Sequence, residues 1–220
     1  MESYTRTART TPTRYRERAR YDRETVHGIL DEALTCHVGY VNGGRQVVLP
    51  TLHARLGEIL YLHGSTGSGP MLTVAGSPDG LPVCVTVTLV DGVVLARSAM
   101  HHSLEYRSVV AMGNARLVTD PDEKLRALAA VVDHVAPGRS ADSRPPNARE
   151  LAATAVLALD LVEVSAKVRT GGPVDDADDL ALPYWAGVIP LTVHAGTPVP
   201  ADDLDPSVPL PSYVSDYRRA

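Results

Sequence analysis

The chain has 220 residues, a net charge of −5, 44% hydrophobic and 21% charged residues, a composition typical of a soluble globular protein. No apolar run reaches the ~20 residues of a membrane span, and no apolar segment follows the N-terminal arginines, which excludes a secretory signal. The two cysteines, Cys36 and Cys84, give neither a disulfide framework nor metal-ligand spacing, so we expect a reduced, cytoplasmic protein.

Residues 1–21 form a basic arm. Within it Glu2 and Glu17 are outnumbered by arginines, namely Arg6, Arg9, Arg14, Arg16, Arg18 and Arg20. The whole chain is acidic and lacks the interleaved basic and aromatic residues of a nucleic-acid surface, so no nucleic-acid partner is expected. We expect an arm that is solvated or lies on an acidic partner subunit.

The first half of the chain predicts one helix followed by strands. Residues 22–34 have apolar positions at helical spacing, with Asp22 as the cap. Alternating runs then predict a meander of strands at 36–41, 45–54 and 58–64. Residues 81–100 predict a hairpin with a tight turn at Asp91-Gly92, and residues 106–120 another strand.

The second half predicts one strong helix and one long strand. Residues 120–138 begin with Asp120 and Pro121, and Glu123 stands where it would complete a capping box. Residues 154–172 alternate as a strand, whereas residues 173–220 lose periodicity and predict an ordered arm. The element order favours a single closed or partly closed antiparallel barrel over residues 22–172.

A polar cluster follows the predicted hairpin. His101 and His102 are adjacent, so on a strand their side chains point to opposite faces, and no third ligand stands at useful spacing for a metal. Ser103, Tyr106 and Arg107 bring together a hydroxyl, a phenol and a guanidinium, which favours an anion pocket. The alternative is that Arg107 pairs with a surface acid.

The loop "GSTGSGP" at residues 64–70 is rich in glycine and hydroxyl groups. Its backbone amides and the hydroxyls of Ser65, Thr66 and Ser68 can cradle a phosphate, although it matches neither the P-loop nor the dinucleotide fingerprint. A flexible surface loop is the alternative. No nucleophile elbow or catalytic cysteine context is present, which disfavours a hydrolase.

Several segments in order resemble one family. They are "VHGILDEALTCHVGYV", "LPTLHARLGEILYLHGS", "PVCVTVTLVDGVVLARSAMHHSLEYRSVVAMGNARLV", "SAKVRTGGP" and "LPYWAGVIPL". Together, over roughly residues 14–200, they resemble the pyridoxamine 5′-phosphate oxidase-related FMN-binding split-barrel proteins, in the branch that includes the nitroimidazole-resistance (Nim) proteins.

This resemblance implies a mainly β (α+β) fold: a six-stranded antiparallel split β-barrel of Greek-key type with flanking helices. It implies a homodimer with FMN in a composite groove, to which Lys167, Arg169 and Trp185 reach, from the other subunit. His63 matches the family's histidine at a strand end and is our candidate for proton delivery to a small-molecule substrate, with a structural hydrogen-bonded histidine as the alternative. The cofactor-binding residues implied are Pro50, Thr51, Leu52, His63, Ser65, Thr66, Ser98, His102, Ser103, Tyr106, Arg107, Lys167, Arg169 and Trp185.

One departure from the family pattern concerns the phosphate. Relatives usually carry Arg or Lys soon after the "HGS" loop, where this chain has Gly69 and Pro70. The phosphate therefore lacks a charged partner, and we expect either weak FMN binding or another cofactor in the groove. The first expectation from the resemblance is an FMN-dependent oxidoreductase, and the alternatives are a haem-binding or haem-degrading split barrel and a non-catalytic flavin-binding dimer.

Overall fold

The structure, a computed structural model, describes residues 2–218. In that part of the chain strands β1 to β9 span Ala19–Arg20, Thr35–Asn42, Arg45–Leu56, Ile59–Ser65, Leu81–Leu95, Ser103–Leu117, Thr154–Asp160, Glu163–Arg169 and Gly187–Pro190. Helices α1 to α5 span Arg23–Glu32, Gly69–Ala75, Pro121–Val135, Ala148–Ala153 and Ser212–Ser215. The strand ladders are antiparallel, and the predicted fold class, a mainly β split barrel with flanking helices, is confirmed.

The chain divides into two compact units, each assembled from three stretches of sequence. Unit 1 contains the residues up to Thr51, Pro82–Gly113 and Leu161–Thr192. Unit 2 contains Leu52–Leu81, Asn114–Asp160 and the residues from Val193 onward.

Unit 1 is built on the β2–β5, β5–β9 and β6–β8 ladders. In it α1 buries Val26, Ile29 and Leu30, the apolar positions that its sequence spacing predicts. The backbone N–H of Thr25 donates to Asp22 at 2.8 Å, which confirms the predicted cap.

The basic arm packs on unit 1 of its own chain, while most of its arginines are exposed, and its contact with a partner subunit stays a prediction. Tyr4 and Tyr21 are 6% and 7% exposed, and β1 pairs with β8. Glu163 of β8 accepts hydrogen bonds from the Thr7 hydroxyl at 3.0 Å and from Arg9 at 2.7 Å. Burial of these aromatic rings and pairing with an acid of the same chain hold the arm in place.

The turn predicted at Asp91-Gly92 is wrong. Both residues lie inside β5, and Gly92 pairs with Pro190 of β9. A Cβ atom at Gly92 would lie 3.0 Å from Val188 and 3.2 Å from the Ile189 carbonyl oxygen. Glycine is favoured here because β9 approaches the backbone of β5 closely, and close approach of another strand is a common reason for glycine within a strand.

Unit 2 is built on β4, which lies between the end of β3 and β7. Its apolar core contains Tyr61, Val118, Ala127, Val156 and Ala158. The long strand predicted at 154–172 is interrupted, since β7 ends at Asp160 and β8 begins at Glu163.

The cap of α3 is as predicted, but the capping box is wrong. Asp120 accepts hydrogen bonds from the N–H groups of Asp122 and Glu123 at 3.3 and 3.1 Å. The Glu123 carboxylate instead accepts hydrogen bonds from Arg116 at 2.6 Å and from the Tyr61 hydroxyl at 2.9 Å. A charged donor offers this carboxylate a stronger hydrogen bond than the backbone N–H of its own cap.

No helix among the described residues is long and apolar enough to cross a membrane.

Candidate cofactor site

Arg107 of β6 is held by two carboxylates of unit 1. Its guanidinium donates to Asp91 at 2.9 and 2.8 Å and to Glu32 at 2.7 Å, with a further short bond to the second Glu32 oxygen. The hydrogen bonds from Asp91 and then Glu32 raise the pKa of Arg107 above its usual range. A phosphate at this guanidinium would have to compete with two carboxylates, so the phosphate-binding role stays a prediction that this geometry does not favour.

The other predicted residues of the same segment lie in and after the loop between β5 and β6. The Ser98 hydroxyl accepts from the Met100 N–H at 3.3 Å, and Nδ1 of exposed His102 lies 3.0 Å from the Ser98 carbonyl oxygen. Ser103 and Tyr106, both half-buried, follow at the start of β6, and Tyr106 pairs with Arg169.

Asp175 fixes this loop, and the sequence did not predict it. Its side chain, 1% exposed, accepts from the N–H of Arg97 and from the Arg97 guanidinium, both at 2.8 Å. In the sequence Asp175 belongs to the acidic run 175–179, which is typical of a solvated surface. Because Arg97 and Asp175 are 78 residues apart, no local sequence pattern indicates this contact.

The late residues of the predicted site differ in how they are held. Arg169 is 6% exposed and donates to the carbonyl oxygens of Gly171 and Gly172 at 2.5 and 2.9 Å. Lys167 Nζ lies 5.8 Å from the centre of the Tyr15 ring. Trp185 is 66% exposed, and its indole lies against Gly187, where a Cβ atom would come within 2.8 Å of the ring.

Pro50, Thr51 and Leu52 lie in the middle of β3. Pro50 is exposed, whereas Thr51 and Leu52 are half-buried. The role beside the cofactor that the resemblance implies for these three residues stays a prediction.

His63 lies near the end of β4 in unit 2, paired with Val156. Its Nδ1 atom is buried and has no hydrogen-bond partner among the described residues. Burial lowers the pKa of this imidazole, so His63 is neutral at neutral pH. A buried polar atom without a partner costs free energy, and a bound ligand is one explanation for it.

The hydroxyl-rich loop after β4 contains a second unsatisfied group, the buried Ser68 Oγ, which has no hydrogen-bond partner within residues 2–218. A Cβ atom at Gly64, the neighbour of His63, would lie 3.3 Å from Ser68 Oγ and 3.3 Å from Met71 Cε. Ser65 and Thr66 are exposed, and Ser65 Oγ accepts from the Gly67 N–H at 3.3 Å. The end of β4 therefore carries two unsatisfied polar groups, on His63 and Ser68.

A pair of histidine rings in unit 2 was also missed. His53 of β3 is fully buried, and its ring centre lies 4.7 Å from that of His134 at the end of α3. The two residues are far apart in sequence, and nothing local to either of them indicates the contact.

Two further observations concern metal ligands and cavities. Among the described residues no group of three His, Cys, Asp or Glu side chains is arranged to hold a metal ion. A cavity of ≈1160 Å³ in unit 2 is lined by residues 198–214 together with Arg139 and Asp142, and contains none of the predicted site residues.

Comparison with known proteins gives one family and two extended likenesses. Residues 22–168 match the family model described as pyridoxamine 5′-phosphate oxidase. The flavocytochrome Anf3 from Azotobacter vinelandii is 40% identical, with a TM-score of 0.90, and the match covers 97% of this chain and 98% of that one. The FAD and haem binding protein from Mycobacterium smegmatis is 38% identical, with a TM-score of 0.84 and 90% and 96% covered.

A proposed 5-nitroimidazole antibiotic resistance protein from Bacteroides thetaiotaomicron shares the fold alone. It is 20% identical with a TM-score of 0.57, and the match covers 68% of this chain and 86% of that one. No protein of curated function matches the sequence.

Proposed function

Because the chain belongs to the pyridoxamine 5′-phosphate oxidase family, we propose that it is a flavin-binding redox protein that also binds haem. The observation that carries this proposal is the likeness to a flavocytochrome at 40% identity over 97% of the chain. The second likeness, to a protein that binds FAD and haem, supports the same pair of cofactors. The sequence suggested haem as an alternative to flavin, whereas in this proposal the protein binds both.

His63 is the residue of this chain that best fits an iron ligand. A metal ligand must be a deprotonated nitrogen, and the lowered pKa of His63 keeps its imidazole neutral at neutral pH. The buried Nδ1 without a described partner is consistent with a group whose hydrogen bond or ligand is supplied from outside the chain. The same imidazole could alternatively donate a proton to a bound substrate, the role expected from the sequence.

The loop after β4 is the part of unit 2 that best fits the phosphate end of a flavin. Ser65 and Thr66 present exposed hydroxyls, and Ser68 Oγ has no hydrogen-bond partner among the described residues. The missing side chain of Gly64 makes room for Ser68 Oγ and Met71, which pack against this end of β4. Hydroxyl and amide donors hold a phosphate without a full positive charge, which suits the absence of Arg or Lys at positions 69 and 70.

Flavins transfer one or two electrons and haem iron transfers one, so a chain that holds both can link two-electron and one-electron partners. The sequence resemblance implies FMN, whereas the Mycobacterium smegmatis relative binds FAD. The residues of β4 and its loop act by binding and orienting the cofactor and by excluding water from its buried side.

We further propose a homodimer, as the family resemblance implies, with Lys167 and Trp185 offered to the partner's cofactor. Trp185 is 66% exposed, which leaves its ring available to another subunit. The guanidinium of Arg169 is bound within its own chain, so of the three late residues it is the least available.

The absorption spectrum of the purified protein tests the proposal. We expect flavin bands together with a Soret band, and we expect the Soret band to be lost in His63→Ala and kept in His37→Ala, a change at an exposed histidine of β2. Mass spectrometry of the released flavin distinguishes FMN from FAD. A protein that has neither flavin nor Soret bands, and acquires neither when FAD and haem are added, would overturn the proposal.

A further inference from the structure

A small basic cavity of unit 1 lies between the arm and the end of β8. Its volume is ≈410 Å³, and its charged lining residues are Glu17, Arg18, Arg20 and Arg169. Pockets for small ligands typically have volumes of about 300–1,000 Å³. Three guanidinium groups and one carboxylate therefore line a space large enough for a small molecule.

Backbone carbonyls, more than carboxylates, hold two of these arginines. Arg20 donates to the carbonyl oxygens of Glu17 and Ala19 at 2.7 and 2.9 Å, and Arg169 donates to those of Gly171 and Gly172. A carbonyl fixes the direction of a guanidinium but leaves its positive charge in place. The guanidinium groups of this cavity are thus oriented without being neutralised.

The carboxylates near the cavity lie at longer distances. Glu17 Oε1 is 3.8 Å from Arg18 Nε, and the Glu17 side chain is 70% exposed. Glu105 Oε1 is 3.9 Å from Arg169 Nη1 and accepts a 2.6 Å hydrogen bond from the Gly171 N–H. These distances are those of loose ion pairs, in contrast to the 2.7–2.9 Å bonds between Arg107 and its two carboxylates.

Tyr15 gathers further positive charge beside this cavity. Arg18, Arg14 and Lys167 lie 4.1, 5.4 and 5.8 Å from the centre of its ring. A cation over an exposed aromatic ring is stabilised only weakly, while neighbouring like charges repel one another. Three cations around one ring therefore retain a strong attraction for an anion.

The backbone of Tyr15 is strained. With φ 55° and ψ 50°, Tyr15 is the one non-glycine residue in the described chain that has a left-handed conformation. Such a conformation costs free energy for a bulky side chain, and residues of this kind are concentrated at ligand-binding sites.

We propose that this cavity binds a phosphate-bearing small molecule, with Arg18, Arg20 and the buried Arg169 supplying the charge. Phosphate offers several oxygens and up to two negative charges, which match convergent donors better than a single carboxylate does. The phosphate belongs either to a free phosphorylated metabolite or to the flavin. The proposal stands on the arm and β8 alone and does not rest on the cofactors assigned above.

Titration calorimetry of the purified protein with inorganic pyrophosphate tests the site. We expect binding that weakens roughly tenfold in Arg18→Gln and in Arg20→Gln, as loss of one charge-assisted hydrogen bond at a partly exposed site predicts. Arg149→Gln removes the same charge from α4 in unit 2, and it should leave affinity unchanged. The affinity of the unmodified protein should also fall as salt rises, which needs no variant.

A second pair of ligands identifies the source of the phosphate. ADP should bind and adenosine should not if the site takes free phosphorylated metabolites. If the flavin supplies the phosphate, Arg18→Gln should weaken FAD or FMN roughly tenfold and leave riboflavin unchanged. Absence of pyrophosphate binding, or equal weakening by Arg149→Gln, would overturn the site while leaving the flavin and Soret bands as they are.

Discussion

Arg107 in unit 1 and His63 in unit 2 were both expected to bind a cofactor, and the structure treats them differently. Arg107 makes four hydrogen bonds to the carboxylates of Glu32 and Asp91. His63 has a buried Nδ1 with no hydrogen-bond partner among the described residues. The first residue has its donors satisfied within its own unit, and the second has an unfilled position.

This difference separates structural polar residues from candidate ligands. Residue type alone favours Arg107, because guanidinium groups bind phosphate well. The contacts of the two residues reverse this ranking. Arg107 belongs to a satisfied ion cluster that stabilises the fold, whereas the unsatisfied buried Nδ1 of His63 remains free to bind a ligand.

The largest expected effect comes from Arg107→Ala, which leaves two carboxylates facing each other. The side chains of Arg107, Glu32 and Asp91 are only 31%, 21% and 30% exposed, so we expect a loss of about 2–4 kcal/mol in the free energy of unfolding, measured by denaturant titration. As a control, Arg144→Ala breaks the exposed Arg144–Glu150 pair, which is screened by solvent, and should cost far less stability than Arg107→Ala. A stable Arg107→Ala variant that binds FMN much less tightly, with riboflavin unaffected, would instead make Arg107 a phosphate ligand.

The next effect is the pH dependence of stability in His63→Gln. The pKa of His63 is lowered in the folded state, so the unfolded state binds more protons as pH falls below about 6.5. His63 therefore contributes stability that is present above that pH and is lost under acid, and the variant should show a shallower slope below about pH 6.5. The difference cannot exceed about 1.4 kcal/mol per pH unit, the value for one proton. An unchanged slope would show that His63 is not desolvated.

The smallest effect concerns Tyr15. Both Tyr15→Ala and Tyr15→Gly remove the ring beneath the three cations, but only glycine tolerates the left-handed backbone without strain. We expect the alanine variant to be less stable than the glycine variant by about 1 kcal/mol, measured by thermal unfolding. Equal stabilities would mean that the backbone relaxes once the ring is gone.

Local patterns in the sequence predicted the elements whose causes are local. Asp22 and Asp120 cap α1 and α3 as expected, because a cap depends on residues two or three positions away. The turn predicted at Asp91-Gly92 was wrong because these residues have other roles. Asp91 pairs with Arg107, and Gly92 lies where β9 approaches closely. The capping box predicted at Glu123 was also wrong, because the Glu123 carboxylate accepts hydrogen bonds from Arg116 and Tyr61 instead.

The candidate site was less predictable because its decisive contacts are distant in sequence. The resemblance pointed to His63 and the loop after β4, but no pattern showed which of its groups lack partners. The bonds between Asp175 and Arg97 and the contact of His53 with His134 join residues far apart in the chain. Charge composition identified the arm as basic, but its docking on unit 1 depends on the placement of Tyr4, Tyr21 and Glu163.

The indole of Trp185 resting on Gly187 gives the protein a built-in optical reporter. The chain has one tryptophan, so emission excited at the red edge of indole absorption comes from the C-terminal segment beside β9 alone. With 66% of the residue exposed, that emission is accessible to soluble quenchers. Self-association that covers Trp185 would shield this emission from quenchers. Energy transfer to a nearby chromophore would quench it, and both changes can be measured without a label.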